Sequence, residues 1–191
     1  MYGLIYKNFF ENTIDLQVAA WFFSNRSELG IQIFKIITFF ASWEFIALAS
    51  LLVLIVFYLN NETYLYLPYI FVVAGTEIAI FSLKALFVRP RFINSVIETT
   101  TASFPSAHAA IALAFYGYLA YVMIKYHEIS KGWLIITASC LIIVLIGVSR
   151  LYLGAHYLSD VIGAYIISSI FLVSGIYISN KRRKNTIKSF Y

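Results

Sequence analysis

Three short stretches, "KALFVRPRF" (84–92), "SFPSAHA" (103–109) and "SRLYLGAHYLSD" (149–160), concentrate ionisable groups in a chain that is 61% hydrophobic and only 12% charged. Their four cations, Lys84, Arg89, Arg91 and Arg150, repel one another unless an anion lies between them. Guanidinium forks match phosphate oxygens in pairs, and lysine adds a point charge. A phosphate ligand therefore fits the set, whereas a single such residue would snorkel to lipid headgroups. In "SFPSAHA", Pro105 suits the first turn of a helix and Ser103 its cap. The free backbone N–H groups of that turn, including those of Ser106 and Ala107, make an anion site, with His108 beside it.

In "HYLSD", His156 and Asp160 stand four residues apart and share a face if the stretch is helical. A carboxylate bonded to one imidazole nitrogen fixes the tautomer and leaves the other nitrogen free to attack or to accept a proton. His and Asp also serve as metal ligands, but four neighbouring cations oppose a divalent ion. The chain has three histidines, and His127 is expected on the opposite side of the membrane. No metal and no cofactor are expected.

Elements able to hold such groups must cross a bilayer. Soluble domains run near a quarter charged, so this is a membrane-protein composition. Apolar stretches of about 17–25 residues span a bilayer as helices, and five occur, near 39–59, 68–88, 107–124, 132–148 and 160–179. Ahead of them, "IDLQVAAWFFSNRSELGIQIFKIITFF" alternates apolar and polar residues at helical spacing on both sides of Gly30. It reads as two amphipathic helices lying at the interface. A further spanning helix is the alternative, opposed by the mid-segment charges Arg26, Glu28 and Lys35. The expected fold is all-α, a polytopic membrane helix bundle of five to six transmembrane helices with N-terminal interfacial helices. It forms one domain: 1–38 interfacial, 39–180 transmembrane core, 181–191 basic cytoplasmic tail.

The start of the chain lacks the pattern of a secretory signal, and Cys140 in "WLIITASCLIIVLIGV" reads as a packing residue. A net charge of +5 does not indicate nucleic acid, because many of the cations crowd into "KRRKNTIK". With alternating spans, Lys125, Lys131, Lys181, Arg182, Arg183, Lys184 and Lys188 share one side, which the positive-inside rule makes cytoplasmic. Lys84, Arg89, Arg91, His108, Arg150, His156 and Asp160 share the other, tight against helix ends. Mid-span Glu77 reads as a structural partner or protonated acid ahead of a catalytic one; Glu98 reads as a loop acid.

Order, spacing and common face make the three stretches similar to the signature of the type 2 phosphatidic acid phosphatase family. That pattern is Lys, six residues, Arg-Pro; Pro-Ser-Gly-His; and Ser-Arg, five residues, His, three residues, Asp. Lys84 to Arg91 match the first part with Phe92 in place of proline. Pro105-Ser106-Ala107-His108 match the second with alanine in place of glycine, and Ser149-Arg150, His156 and Asp160 match the third fully. The resemblance implies that His156 attacks phosphorus, Asp160 orients it and His108 protonates the leaving oxygen. Lys84, Arg91 and Arg150, with Ser106 and the backbone of Ala107, would hold the phosphoryl oxygens. Arg89, outside the pattern, would bind a second phosphate or a headgroup, and Phe92 would meet the lipid chain.

The implied protein is a metal-independent lipid phosphatase acting through a phosphohistidine on a phosphorylated lipid of the bilayer, at the outer face of a bacterial-type inner membrane. Undecaprenyl pyrophosphate, phosphatidylglycerol phosphate and the 1-phosphate of lipid A are the substrates expected, the four cations favouring a diphosphate. A catalytically silent lipid-phosphate binder or transporter of the same fold is the alternative, and a vanadate-dependent oxidase is disfavoured by full membrane embedding.

Overall fold

A computed structural model describes residues 13–97, 101–126 and 131–188; Glu98 and His127 lie outside them. The described residues form seven α-helices: α1 Thr13–Ser24, α2 Glu28–Phe39, α3 Trp43–Leu59, α4 Tyr66–Leu86, α5 Ala107–Tyr126, α6 Gly132–Tyr152 and α7 Leu158–Lys188. Among the described residues five candidate spans are long and apolar enough to cross a membrane: Glu28–Leu59, Thr63–Leu86, Ala107–Tyr126, Gly132–Tyr152 and Leu158–Asn185. The protein is an all-helical integral membrane bundle, with exposed Leu, Ile and Phe side chains turned outward along α3, α4, α6 and α7.

The bundle is built around α5, which packs against α4, α6 and α7. Its alanines Ala109, Ala110, Ala112 and Ala114 are fully buried, because small side chains let neighbouring backbones approach closely where water supplies no driving force. On α7, Gly175 meets α4 so closely that a Cβ would collide with Val72. Tyr118 bonds to Ser179 at 2.7 Å, tying α5 to α7 away from the site.

α2 contacts α6 near one end only: Gly30 lies against Tyr152, and Thr38 bonds to Arg150 at 2.8 Å. Its two ends thus meet residues two apart on α6, so α2 crosses the end of the bundle instead of running along it. Ser27 caps α2 by accepting from Gly30 N at 3.1 Å, and Ser42 caps α3 by accepting from Phe45 N at 3.3 Å.

Two helix ends lie beyond the hydropathy reading. α6 continues past Val148 to Tyr152, so Ser149 and Arg150 are helical; a cation in the last turn complements the free carbonyls there. α7 runs through the basic tail to Lys188, since Lys and Arg are good helix formers. α5 begins at Ala107, where hydropathy had it, but Pro105, expected in its first turn, lies two residues ahead of it after a cis Phe104–Pro105 bond.

The α6–α7 connection turns on Gly154 at φ +70°. Arg26 packs against it while donating to Tyr152 O and Asn94 O, each at 2.6 Å. Gly154→Ala is expected to cost about 1–2 kcal/mol of left-handed strain, plus displacement of Arg26. A fall in the Tm of the detergent-purified protein checks it.

Candidate active site

Every element of the site meets at the end of the bundle where α4, α6 and α7 approach the start of α5. The stretch from His156 to Asp160 is not one helix: His156 sits in the turn between α6 and α7. Two backbone bonds to Arg150 O shape this turn, from Ala155 N at 3.0 Å and His156 N at 3.2 Å. Asp160 occupies the first turn of α7, and its Oδ2 stands 3.6 Å from His156 Nδ1. That is longer than a hydrogen bond, and such contacts commonly tighten when substrate binds. The carboxylate is held in place by others: Ser103 Oγ at 2.5 Å and Tyr157 N at 2.8 Å donate to Oδ2, and Arg89 donates to Oδ1. Nε2 of His156 is the nitrogen turned away from this anchor.

Three of the expected phosphate ligands gather around the imidazole pair. Arg150 is 3% exposed, and its Nε is buried with no hydrogen-bond partner. Lys84 donates to Ala102 O at 2.6 Å. Arg91 donates to Ala155 O at 2.5 Å and Thr101 O at 2.9 Å. Lys84 and Arg91 thus rest on backbone carbonyls, and Arg150 donates to the Thr38 hydroxyl at 2.8 Å. Arg91 is pulled below its ordinary range by burial, partly offset by Asp160. His108, in the first turn of α5, interacts electrostatically with Arg150, His156, Arg91 and Lys84.

The start of α5 differs in detail. Ser106, not Ser103, precedes the helix: its Oγ faces Ala109 N at 3.5 Å and its N–H donates to Asp160 O at 3.2 Å. Ala107 opens the helix, and the only non-glycine residue with positive φ among those described is Asn61. Alanine at this position is therefore unstrained. Phe92, expected to meet a lipid chain, packs its ring edge-on against Phe23 of α1 and Tyr157.

Arg89 requires a correction. Expected at a headgroup, it is 2% exposed and donates to Asp160 Oδ1 at 2.5 Å and to Asp15 Oδ2 at 2.8 Å. It also stacks over the Tyr157 ring at 4.2 Å. A guanidinium in low dielectric is stable only when paired, and here two carboxylates hold it away from the surface. Asp15 and Thr38 were not singled out in the sequence. For Asp15 the available signal was one acid on an otherwise apolar and amidic helix.

A family model described as "PAP2 superfamily" matches residues 65–184. The chain belongs to the PAP2 superfamily. A curated relative, phosphatidylglycerophosphatase B of Bacillus subtilis (strain 168), is 39% identical over 93 residues, 46% of this chain and 45% of the relative. The chain thus matches less than half of that relative's length. Among solved structures, a transmembrane PAP2-type phosphatidylglycerolphosphate phosphatase from Bacillus subtilis superposes with a TM-score of 0.85 at 22% identity, covering 94% of this chain and 90% of that one. LpxE from Aquifex aeolicus gives a TM-score of 0.71 at 21% identity, covering 88% and 98%. At these identities the two structures establish the fold. The PAP2 match takes in Lys84, Arg91, His108, Arg150, His156 and Asp160, and it leaves α1 and α2 outside.

Burial pushes His156 down to about 3, against a partial upward pull from Asp160 and with a further downward push from Arg150. The folded protein therefore holds this imidazole neutral while the unfolded chain protonates it below about 6.5. Stability present above that pH is lost as pH falls, by about 2 kcal/mol between pH 7 and 5. His156→Gln removes this contribution. Its Tm is expected to fall less than that of the unmodified protein over the same interval; equal falls contradict a neutral buried imidazole.

Proposed function

We propose that the protein is a membrane lipid phosphatase working through a phosphohistidine at the extracytoplasmic face of a bacterial cytoplasmic membrane. The observation carrying this reading is one site that unites an imidazole 3.6 Å from a carboxylate, a second imidazole and three cations, beside an apolar cavity. That 430 Å³ cavity lies among α3, α4 and α5 and is lined by Ile46, Ala47, Val73, Phe81, Glu77 and His108. An acyl chain enters it from the bilayer, leaving the phosphate at the cations. Glu77 gives the cavity a polar wall, a partner for a hydroxyl on the leaving alcohol.

In the proposed reaction Lys84, Arg91, Arg150 and the N–H groups at the start of α5 hold the phosphoryl oxygens as charge spreads over them. Asp160 keeps the proton of His156 on Nδ1, and Nε2 uses its lone pair to form the N–P bond. The bond from phosphorus to the leaving oxygen breaks, and His108 protonates that oxygen. Water then gives a proton to His108 and attacks phosphorus, the N–P bond breaks, and phosphate and neutral His156 are regenerated.

Among lipids, phosphatidylglycerol phosphate fits best. With Arg89 spent on two carboxylates, three cations remain for the phosphoryl group, which suits one terminal phosphate better than two. The two Bacillus subtilis relatives carry the name of that substrate.

Detergent-purified protein is expected to release phosphate from phosphatidylglycerol phosphate faster than from undecaprenyl pyrophosphate or lipid A 1-phosphate, with or without chelator. His156→Ala is expected to abolish release. Release from none of the three lipids would favour a silent lipid-phosphate binder. Ala47→Trp, which fills the cavity, is expected to raise KM for the long-chain lipid several-fold while sparing p-nitrophenyl phosphate. An equal effect on both substrates would place the chain elsewhere.

A further inference from the structure

Asp15 is 2% exposed on a helix whose flanking Ile14 and Leu16 are 57% and 48% exposed. Burying a carboxylate is costly unless it is paired and hydrogen-bonded, and Asp15 meets that demand with groups of the site alone. Its Oδ1 accepts from Ser159 N at 2.9 Å, and its Oδ2 accepts from Ser159 Oγ and from Arg89 Nη2, the latter at 2.8 Å. Ser159 is the second residue of α7 and the neighbour of Asp160. A residue from α1 thus caps the helix that carries Asp160.

The second grip is electrostatic. Arg89 reaches Asp15 with one terminal nitrogen and Asp160 with the other, and all three side chains are buried. While its charge is shared, Asp160 keeps enough negative charge on Oδ2 to attract the Nδ1–H of His156, 3.6 Å away, and to accept from it once the contact tightens. With Asp15 neutral, the guanidinium would pair with Asp160 alone, making it a weaker acceptor and freeing the first turn of α7 to move. The charged groups around this carboxylate are Arg89, His156, Lys84 and Arg91, and Asp15 is the acid that competes with it for Arg89.

We infer that Asp15 is a positioning residue of the reaction: through Arg89 and Ser159 it sets Asp160, and through Asp160 it holds His156 in the Nδ1–H tautomer. α1 is then part of the catalytic apparatus, although it lies outside the matched family segment. This inference rests on the phosphatase reading for its kinetic consequence, but not for its structural one.

The test is Asp15→Asn in the full-length protein, with Asp15→Glu beside it. The expected kcat on phosphatidylglycerol phosphate, per site counted with inorganic phosphate, falls on the order of tenfold, by analogy with outer partners of metal-bound imidazoles. KM and inorganic phosphate affinity stay unchanged, and Asp15→Glu recovers part of the rate. Nitrogen-15 spectra of histidine-labelled protein, which has only three histidines to assign, give a readout independent of turnover. His156 is expected as Nδ1–H in the unmodified protein and as a mixture with Nε2–H in Asp15→Asn. An unchanged tautomer with unchanged kcat per site overturns the inference, as does a loss confined to the number of folded sites. A tautomer shift in a protein that releases no phosphate would leave the positioning role standing and overturn the function proposed above.

Discussion

A single buried cation organises the site end of this bundle. Arg89 lies between Asp15 of α1 and Asp160 of α7, at 2.8 and 2.5 Å, and removing one partner of a buried ion pair typically costs roughly 3–5 kcal/mol. The arrangement binds the segment after α4 to two helices that the chain separates widely. It also leaves one carboxylate oxygen of Asp160 aimed at His156. The remaining cations are arranged on the opposite principle: Lys84 and Arg91 lean on backbone carbonyls, and Arg150 leans on the Thr38 hydroxyl. Neutral hydrogen-bond acceptors steady these side chains without cancelling their charge, as the proposed phosphate site requires.

Packing makes that geometry possible. The buried alanines at the start of α5 bring it close to α7, where Ser106 N–H bonds to Asp160 O and Ser168 bonds to Ala110 O at 2.8 Å. His108 is thereby carried to the same end as His156. The positive φ of Gly154 reverses the chain tightly enough to bring Arg150 and His156, six residues apart, to the same end of the bundle. Small residues in the core and one permissive glycine in the turn are thus the local causes of the site's shape.

Much of this was legible in the sequence, for identifiable reasons. Five apolar runs of bilayer length register directly as helices, and the three charged stretches at their ends register because ionisable groups there are costly. What hydropathy could not locate was where helices stop. Backbone bonding carries α6 past its apolar run to Arg150 and leaves His156 in the turn. Charge pattern alone could not separate Arg89 from Arg91, two residues apart, since only the fold brings Asp15 from a distant helix to neutralise one of them. Asp15 itself was hidden for the same reason: a lone acid on an interfacial helix has the signature of a solvated one. The exchange of Ser103 and Ser106 is of this kind, because both precede α5 and both bond to Asp160, and only the fold sets Ser106 Oγ at Ala109 N and Ser103 Oγ at the Asp160 carboxylate.

The proposed reaction passes through a covalent bond between phosphorus and Nε2 of His156. Rapid quenching of the protein with radiolabelled phosphatidylglycerol phosphate, followed by mapping of the label, tests it most directly. An acid-labile, base-stable phosphate on His156 that forms and decays at catalytically competent rates is the predicted result. Steady phosphate release with no label on His156 at any time, or with label on another residue, would contradict it.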